Sequence, residues 1–335
     1  MTKRQIVMDA INHREVPKVP YMIDFTHRVK LQMAQYYNDP EFDKKLGNYI
    51  YFCDWLKEGL WKEIEPDIWE NYFGVKWNRK IDKDIGTVCN QVVSPENISE
   101  YEFPDPEDIF DADKLSQSVE NNNEQCFCLA NLGFSLFERA WTMTGMENLL
   151  VAMVNNKKFV HTLLDRIVEF NLKILDKLCS FPIDGVIIGD DWGQQTGLIM
   201  GPHFWHEFIE PRIRQMYAKV KSHKKYVFIH SCGKVDELFP SLIEAGLDVF
   251  NPFQPEVMDV FEIKRKYGKH LSFYGGISTQ KLLPYGTVEE TKSQVKKLLN
   301  EIGKNGGYIA APAHSIPYGA KPENIAAMID VLQNQ

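Results

Sequence analysis

From about residue 125 onward, short apolar runs rich in β-branched residues alternate with longer stretches whose apolar positions recur at helical spacing. The short runs, 126–130, 185–188, 226–229, 249–252, 271–274 and 308–311, predict strands. The longer ones predict helices over 157–179, 203–222, 235–244, 259–267, 288–303 and 322–333. Strand-then-helix alternation implies parallel strands joined by crossover helices. Near-continuous apolar strands imply burial on both faces. A further strand over 19–23 follows an N-terminal helix, and the region 25–115 has room for an eighth. The pattern points to an α/β fold, a TIM-type (β/α)8 barrel forming one domain over residues 1–335. No Gly-rich phosphate fingerprint follows any strand, which counts against a dinucleotide-binding sheet.

The stretch 38–115 breaks the rhythm. It is rich in aromatic residues, among them Tyr49, Trp55, Trp61, Trp69, Tyr72 and Trp77, interspersed with Asp, Glu and Pro. It reads as an aromatic-rich N-terminal insertion that covers one end of the barrel and lines a pocket for an apolar or aromatic molecule.

The formal net charge is −8, with acidic and basic residues mixed along the chain. Without a basic run, nucleic acid is not an expected partner. Met1-Thr-Lys-Arg4 leads into an amphipathic helical segment rather than the apolar core of a secretory leader. No apolar run reaches membrane-spanning length. A cytoplasmic protein is the expectation. The six cysteines are dilute and show no framework spacing, so disulfides are not expected. Cys126 and Cys128 lie within an apolar strand and read as core thiols.

Candidate chemistry gathers where strands end. His230-Ser-Cys232-Gly233 follows the strand 226–229. Side chains two apart on a strand share a face, so the imidazole and the thiol converge. That pair suits a borderline-soft ion such as zinc. His314, after the strand 308–311, is a third candidate ligand. Asp190, Asp191 and Gln194 follow 185–188, and Gln254 follows 249–252. In a parallel barrel all these ends open on one face, where active sites lie. Taken singly, each residue has an ordinary explanation: His230 a satisfied core histidine, Cys232 a buried hydrophobe, Asp190 and Asp191 helix caps. Taken together, His230, Cys232 and His314 read as a metal site. Asp191 and Glu138 read as catalytic acids, with a helix-start glutamate as the plain alternative for Glu138. Asp190, Gln194 and Gln254 are expected to bind substrate. His203, His206 and Glu207 lack the His-Glu-x-x-His spacing and read as an ordinary helix start behind Pro202.

These residues carry a resemblance. Gly189-Asp-Asp-Trp-Gly-Gln194, Pro202-His-Phe-Trp-His-Glu-Phe-Ile-Glu-Pro-Arg212, His230-Ser-Cys-Gly233, Tyr274-Gly-Gly-Ile-Ser-Thr-Gln280 and Pro322-Glu-Asn324 resemble the uroporphyrinogen decarboxylase superfamily, as does the opening Ile11-Asn-His-Arg-Glu-Val-Pro-Lys-Val-Pro20. The decarboxylases of that superfamily work without metal and carry an N-terminal Arg-rich stretch that grips substrate carboxylates. Here Tyr21-Met-Ile-Asp-Phe-Thr-His-Arg28 stands in its place. The other branch, corrinoid-dependent methyltransferases, has His-x-Cys after a barrel strand and a further cysteine near the C-terminus. His230 and Cys232 match it, while His314 stands where that cysteine is found. The resemblance implies zinc held by His230, Cys232 and His314, and a corrinoid (cobalamin) carried on a partner protein. Fewer thiolates leave the zinc a stronger Lewis acid, which favours demethylation of a small methylated substrate over thiol methylation. The competing expectations are a cofactor-independent decarboxylase and a non-catalytic barrel that binds a ligand or a corrinoid protein.

Overall fold

Seven parallel strands, hydrogen-bonded in sequence order, form the centre of the computed structural model, which describes residues 1–335. They are Ile50–Cys53, Phe127–Phe134, Gly185–Gly189, Tyr226–His230, Val249–Phe253, Ser272–Ile277 and Tyr308–Pro312. Every residue of Gly185–Gly189, Val249–Phe253, Ser272–Ile277 and Tyr308–Pro312 is buried. That is the burial expected of strands covered by helices outside and by packed side chains inside. Residues 20–23 bridge the two edges of this sheet. Met22 N–H donates to the Ala310 carbonyl at 3.0 Å, and Ala310 N–H to the Pro20 carbonyl at 2.8 Å. On the other side Tyr49 N–H donates to the Tyr21 carbonyl at 2.9 Å, and the Asn48 amide pairs with both backbone groups of Ile23. The eighth stave is this short segment, whose ladder is cut back because Pro20 has no N–H to give.

The strands of the second half fall where the alternation places them, and so do the helices Lys157–Ser180, Val260–Tyr267, Val288–Glu301 and Pro322–Gln333. The last helix but one starts on a capping box, with Thr287 and Glu290 each satisfying the other's backbone N–H. The strand expected over 126–130 runs on to Phe134. Asn131 and Gly133 disguise its second half, and the register against Gly185–Gly189 shifts between them.

The aromatic region needs a correction. Ile50–Cys53, inside the stretch read as an insertion, is a barrel strand paired in parallel with Phe127–Ala130. The added structure is narrower, an antiparallel sheet of Trp61–Glu65, Ile68–Asn71, Lys76–Asn78 and Thr87–Val88. Its Phe73 and Trp77 belong to the same apolar cluster as the barrel core. Within an aromatic-rich stretch the four residues of the barrel strand give no separate periodicity, so only their pairing reveals them. No helix of the chain is long and apolar enough to cross a membrane.

Candidate metal centre

His230 closes its strand opposite Asn251 of the next one. That register sets the imidazole. Nδ1 lies 2.6 Å from Asn251 Oδ1, and Asn251 Nδ2–H donates to the Tyr274 carbonyl at 3.0 Å. The second bond orients the amide, so its oxygen accepts from Nδ1–H and the lone pair of His230 is left on Nε2. Nε2 is 3.4 Å from the Cys232 sulfur. Burial is the largest influence on His230 and lowers its pKa, which keeps the ring neutral and able to ligate.

Cys232 is placed by the turn behind it. Its N–H donates to Asp191 Oδ1 at 2.7 Å. Gly233 has φ of +87°, and a Cβ there would stand 2.4 Å from the Gly193 carbonyl carbon. Only glycine allows the turn and the close approach together. Ser231 N–H donates to the Asn251 carbonyl at 2.7 Å, and Gly233 N–H to Gln254 Oε1 at 3.3 Å.

His314 arrives from the loop after Tyr308–Pro312. Its ring lies 5.7 Å from that of His230, near-perpendicular to it. The loop is tied to the residue that follows the segment 20–23: Ser315 hydrogen-bonds Asp24, and Ile316 N–H donates to the Asp24 carbonyl at 3.0 Å. Ligand atoms of His230, Cys232 and His314 all lie within 4.8 Å of one another. Bonds of about 2.3 Å to sulfur and about 2.0 Å to nitrogen at a tetrahedral angle put ligand atoms about 3.5 Å apart. The His230–Cys232 separation already matches, and the His314 ligand atom lies within 4.8 Å of both. The donor set also fits electrostatically. Burial first, then the carboxylates of Asp191 and Glu138, push the Cys232 thiol up. A cation bound here would reverse that penalty.

The two aspartates that adjoin in sequence part company. Asp191 lines the cavity above the triad, 4.0 Å from His230 Nε2. Asp190 is fully buried and points the other way. It accepts from the N–H groups of Leu136 and Glu138 at 3.1 and 2.8 Å and from the Trp192 indole. It caps the start of the helix Phe137–Thr144, and the substrate role expected of it is withdrawn. Its carboxyl is pushed up to about 6, burial outweighing those hydrogen bonds. Gln194 is exposed on the hairpin Gly193–Gln194/Gly197–Leu198, and Gln254 is buried against the Gly233 turn. Neither lines the cavity. Glu138 does line it. Desolvation, then the charges of Asp191 and Asp190, hold its carboxyl well above the ordinary range, which favours the protonated form. Cys126 and Cys128 are buried in the core, and His203 and His206 pair with Glu207 and Glu210 along their own helix.

The cavity is about 1380 Å³. His230, His314 and Asp191 lie along the barrel rim; Trp61, Tyr72 and Trp77 come from the antiparallel sheet and its turns, and Glu138 and Trp141 from the helix Phe137–Thr144. The sequence reading missed Asn251, whose place beside His230 depends on strand register, and Asp24, which meets the His314 loop only once the barrel closes.

The family model described as uroporphyrinogen decarboxylase (URO-D) matches residues 73–335. The chain is 22% identical over 256 residues to a uroporphyrinogen decarboxylase of Chlorobaculum parvum, an overlap of 73% of this chain and 71% of that one. It is 22% identical over 261 residues to the uroporphyrinogen decarboxylase of Coxiella burnetii, covering 75% and 70%. Among solved structures, a methyltransferase from Methanosarcina mazei superposes over 100% of this chain and 99% of its own, with a TM-score of 0.73 at 16% identity, which establishes a shared fold. A match over residues 73–335, most of the barrel including His230, Cys232 and His314, makes this chain a member of the uroporphyrinogen decarboxylase family.

Proposed function

We propose that the chain is a zinc-dependent methyltransferase that moves a methyl group from a small methylated substrate to a corrinoid protein. One observation carries the reading: His230, Cys232 and His314 converge, with His230 held in the ligating tautomer, beside a large aromatic-walled cavity. His230, Cys232 and His314 would hold the ion and leave a fourth position toward the cavity. When bound, zinc supplies Lewis-acid polarisation of the methyl-bearing heteroatom, and the partner's corrinoid supplies the nucleophile that takes the methyl group. Asp191 keeps Cys232 in place through its backbone N–H. Glu138, whose protonated form burial favours, lines the same cavity and is the proton source for an oxygen that loses its methyl group.

Metal analysis of the purified full chain tests this. One zinc per chain is expected, lost in Cys232→Ala together with at least about 10³-fold of methyl transfer to a reduced corrinoid protein. Full transfer by metal-free Cys232→Ala protein would falsify the reading.

The family match favours a second reading, cofactor-independent decarboxylation. The cavity argues against a polycarboxylated substrate: Asp24, Asp84, Glu138 and Asp191 line it, and Arg139 is its one arginine or lysine. Carbon dioxide release from a porphyrinogen is therefore expected to be absent, and its detection by zinc-free protein would replace the first reading with the second.

A further inference from the structure

Two arginines of the chain are buried, Arg139 and Arg212. Arg212 pairs with Asp165. Arg139 is 7% exposed and pairs with no carboxylate. Its Nη2–H donates to the Phe134 carbonyl at 3.3 Å, and its guanidinium lies over the Phe73 ring at 4.2 Å. Nη1 is buried without a partner. A guanidinium taken out of water with most of its donors idle is costly, and such a group persists where something else completes it. Arg139 lines the cavity. So does Trp77, which stacks on Phe134 with ring centroids 5.6 Å apart and whose indole N–H is also buried without a partner. Both idle groups are donors, both adjoin Phe134, and both border the same space as the metal triad. An acceptor with a negative charge answers both, and a carboxylate matches the planar guanidinium best.

We propose that Arg139 is an anion anchor: the substrate is a small methylated molecule carrying one carboxylate, bound by Arg139 and Trp77 while its methyl-bearing heteroatom faces the triad. The single arginine among four lining carboxylic acids sets the number of carboxylates at one. This rests on the proposed methyl transfer for the word methylated only; the anchor itself needs neither metal nor corrinoid.

The test is equilibrium binding to the full chain by calorimetry, without corrinoid protein. The probes are 4-methoxybenzoate, its neutral isostere 4-methoxybenzamide and tetramethylammonium. The benzoate is expected to bind about 10- to 100-fold more tightly than the benzamide. Arg139→Met should erase that difference, and Arg139→Lys should restore part of it. Ligand-free Arg139→Met should melt no lower than wild type, since it removes an unpaired buried charge; a purely structural arginine would melt lower on substitution. The anchor is overturned by equal binding of benzoate and benzamide, by undiminished benzoate binding to Arg139→Met, by no benzoate binding at all, or by tighter binding of tetramethylammonium. Should Arg139→Met fail to fold, the wild-type comparison and Arg139→Lys decide. Zinc analysis separates the outcomes: benzoate selectivity without zinc sinks methyl transfer and leaves the anchor, and zinc without selectivity does the reverse.

Discussion

The two walls of the cavity differ in how completely their polar groups are satisfied. Along the barrel rim, Asn251 orients His230 and is itself held by Tyr274. Asp191 holds the Cys232 backbone, and Asp24 holds the His314 loop. Where the antiparallel sheet and the helix Phe137–Thr144 line the cavity, Arg139 and Trp77 keep donors with nothing to bind. His230 and Cys232 are preorganised, so their geometry costs little rearrangement when a ligand arrives. The opposite wall has its hydrogen-bonding capacity held in reserve for recognition. Under the proposed function, metal binding falls to parallel strand ends, and substrate recognition to an antiparallel sheet and the start of the helix Phe137–Thr144.

Substitutions should respect that division. The largest effect is expected from Gly233→Ala, which forces a positive φ on a side chain and drives a Cβ into Gly193. A loss of about 3 kcal/mol or more in urea unfolding is expected, with zinc binding lost alongside it because Cys232 adjoins the turn. Unchanged stability would show that the rim is less rigid than its hydrogen bonds imply.

A pH dependence comes next. The Asp190 carboxyl is raised to about 6 in the fold from its ordinary value of 3.8. Folding then favours the protonated form, so this group's contribution is complete below about pH 4 and is lost as pH rises through 6. The difference is on the order of 3 kcal/mol. Asp190→Asn should flatten that part of the stability profile between pH 4 and 6, while lowering stability at pH 4 by leaving the Trp192 indole without its acceptor. A slope equal to that of wild type would remove Asp190 from the account. A smaller effect is expected of Asn251→Ala, roughly a 10- to 100-fold loss of zinc affinity through a freed imidazole, read by chelator competition. Asn251→Asp, which keeps the acceptor for Nδ1–H, should retain most of that affinity. If Asn251→Ala binds zinc as tightly as wild type, the tautomer is set by something else. On the opposite wall Arg139→Met should alter ligand selectivity with no loss of stability, and that contrast in sign is the sharpest separation of the two walls.

Residue order alone determined much of this protein. Apolar runs of strand length alternating with helical periods specify a parallel barrel, because each run can bury both faces only if helices cover it. The same alternation marks strand ends, and so it marked His230, Cys232, His314 and Asp191 as rim residues and Glu138 as a residue of the following helix start. Where the tertiary structure decided, the reason was direction or long-range pairing. Asp190 and Asp191 are neighbours of one type, yet successive side chains leave an extended chain on opposite sides, and only packing shows which side is the cavity. Gln194 and Gln254 follow strands, but the turns carry them outside or beneath the site. Ile50–Cys53 became a barrel strand through its partner Phe127–Ala130 rather than through a pattern of its own. Arg139 looks ordinary in the sequence. Its missing partner is a property of everything folded around it, which no local pattern encodes.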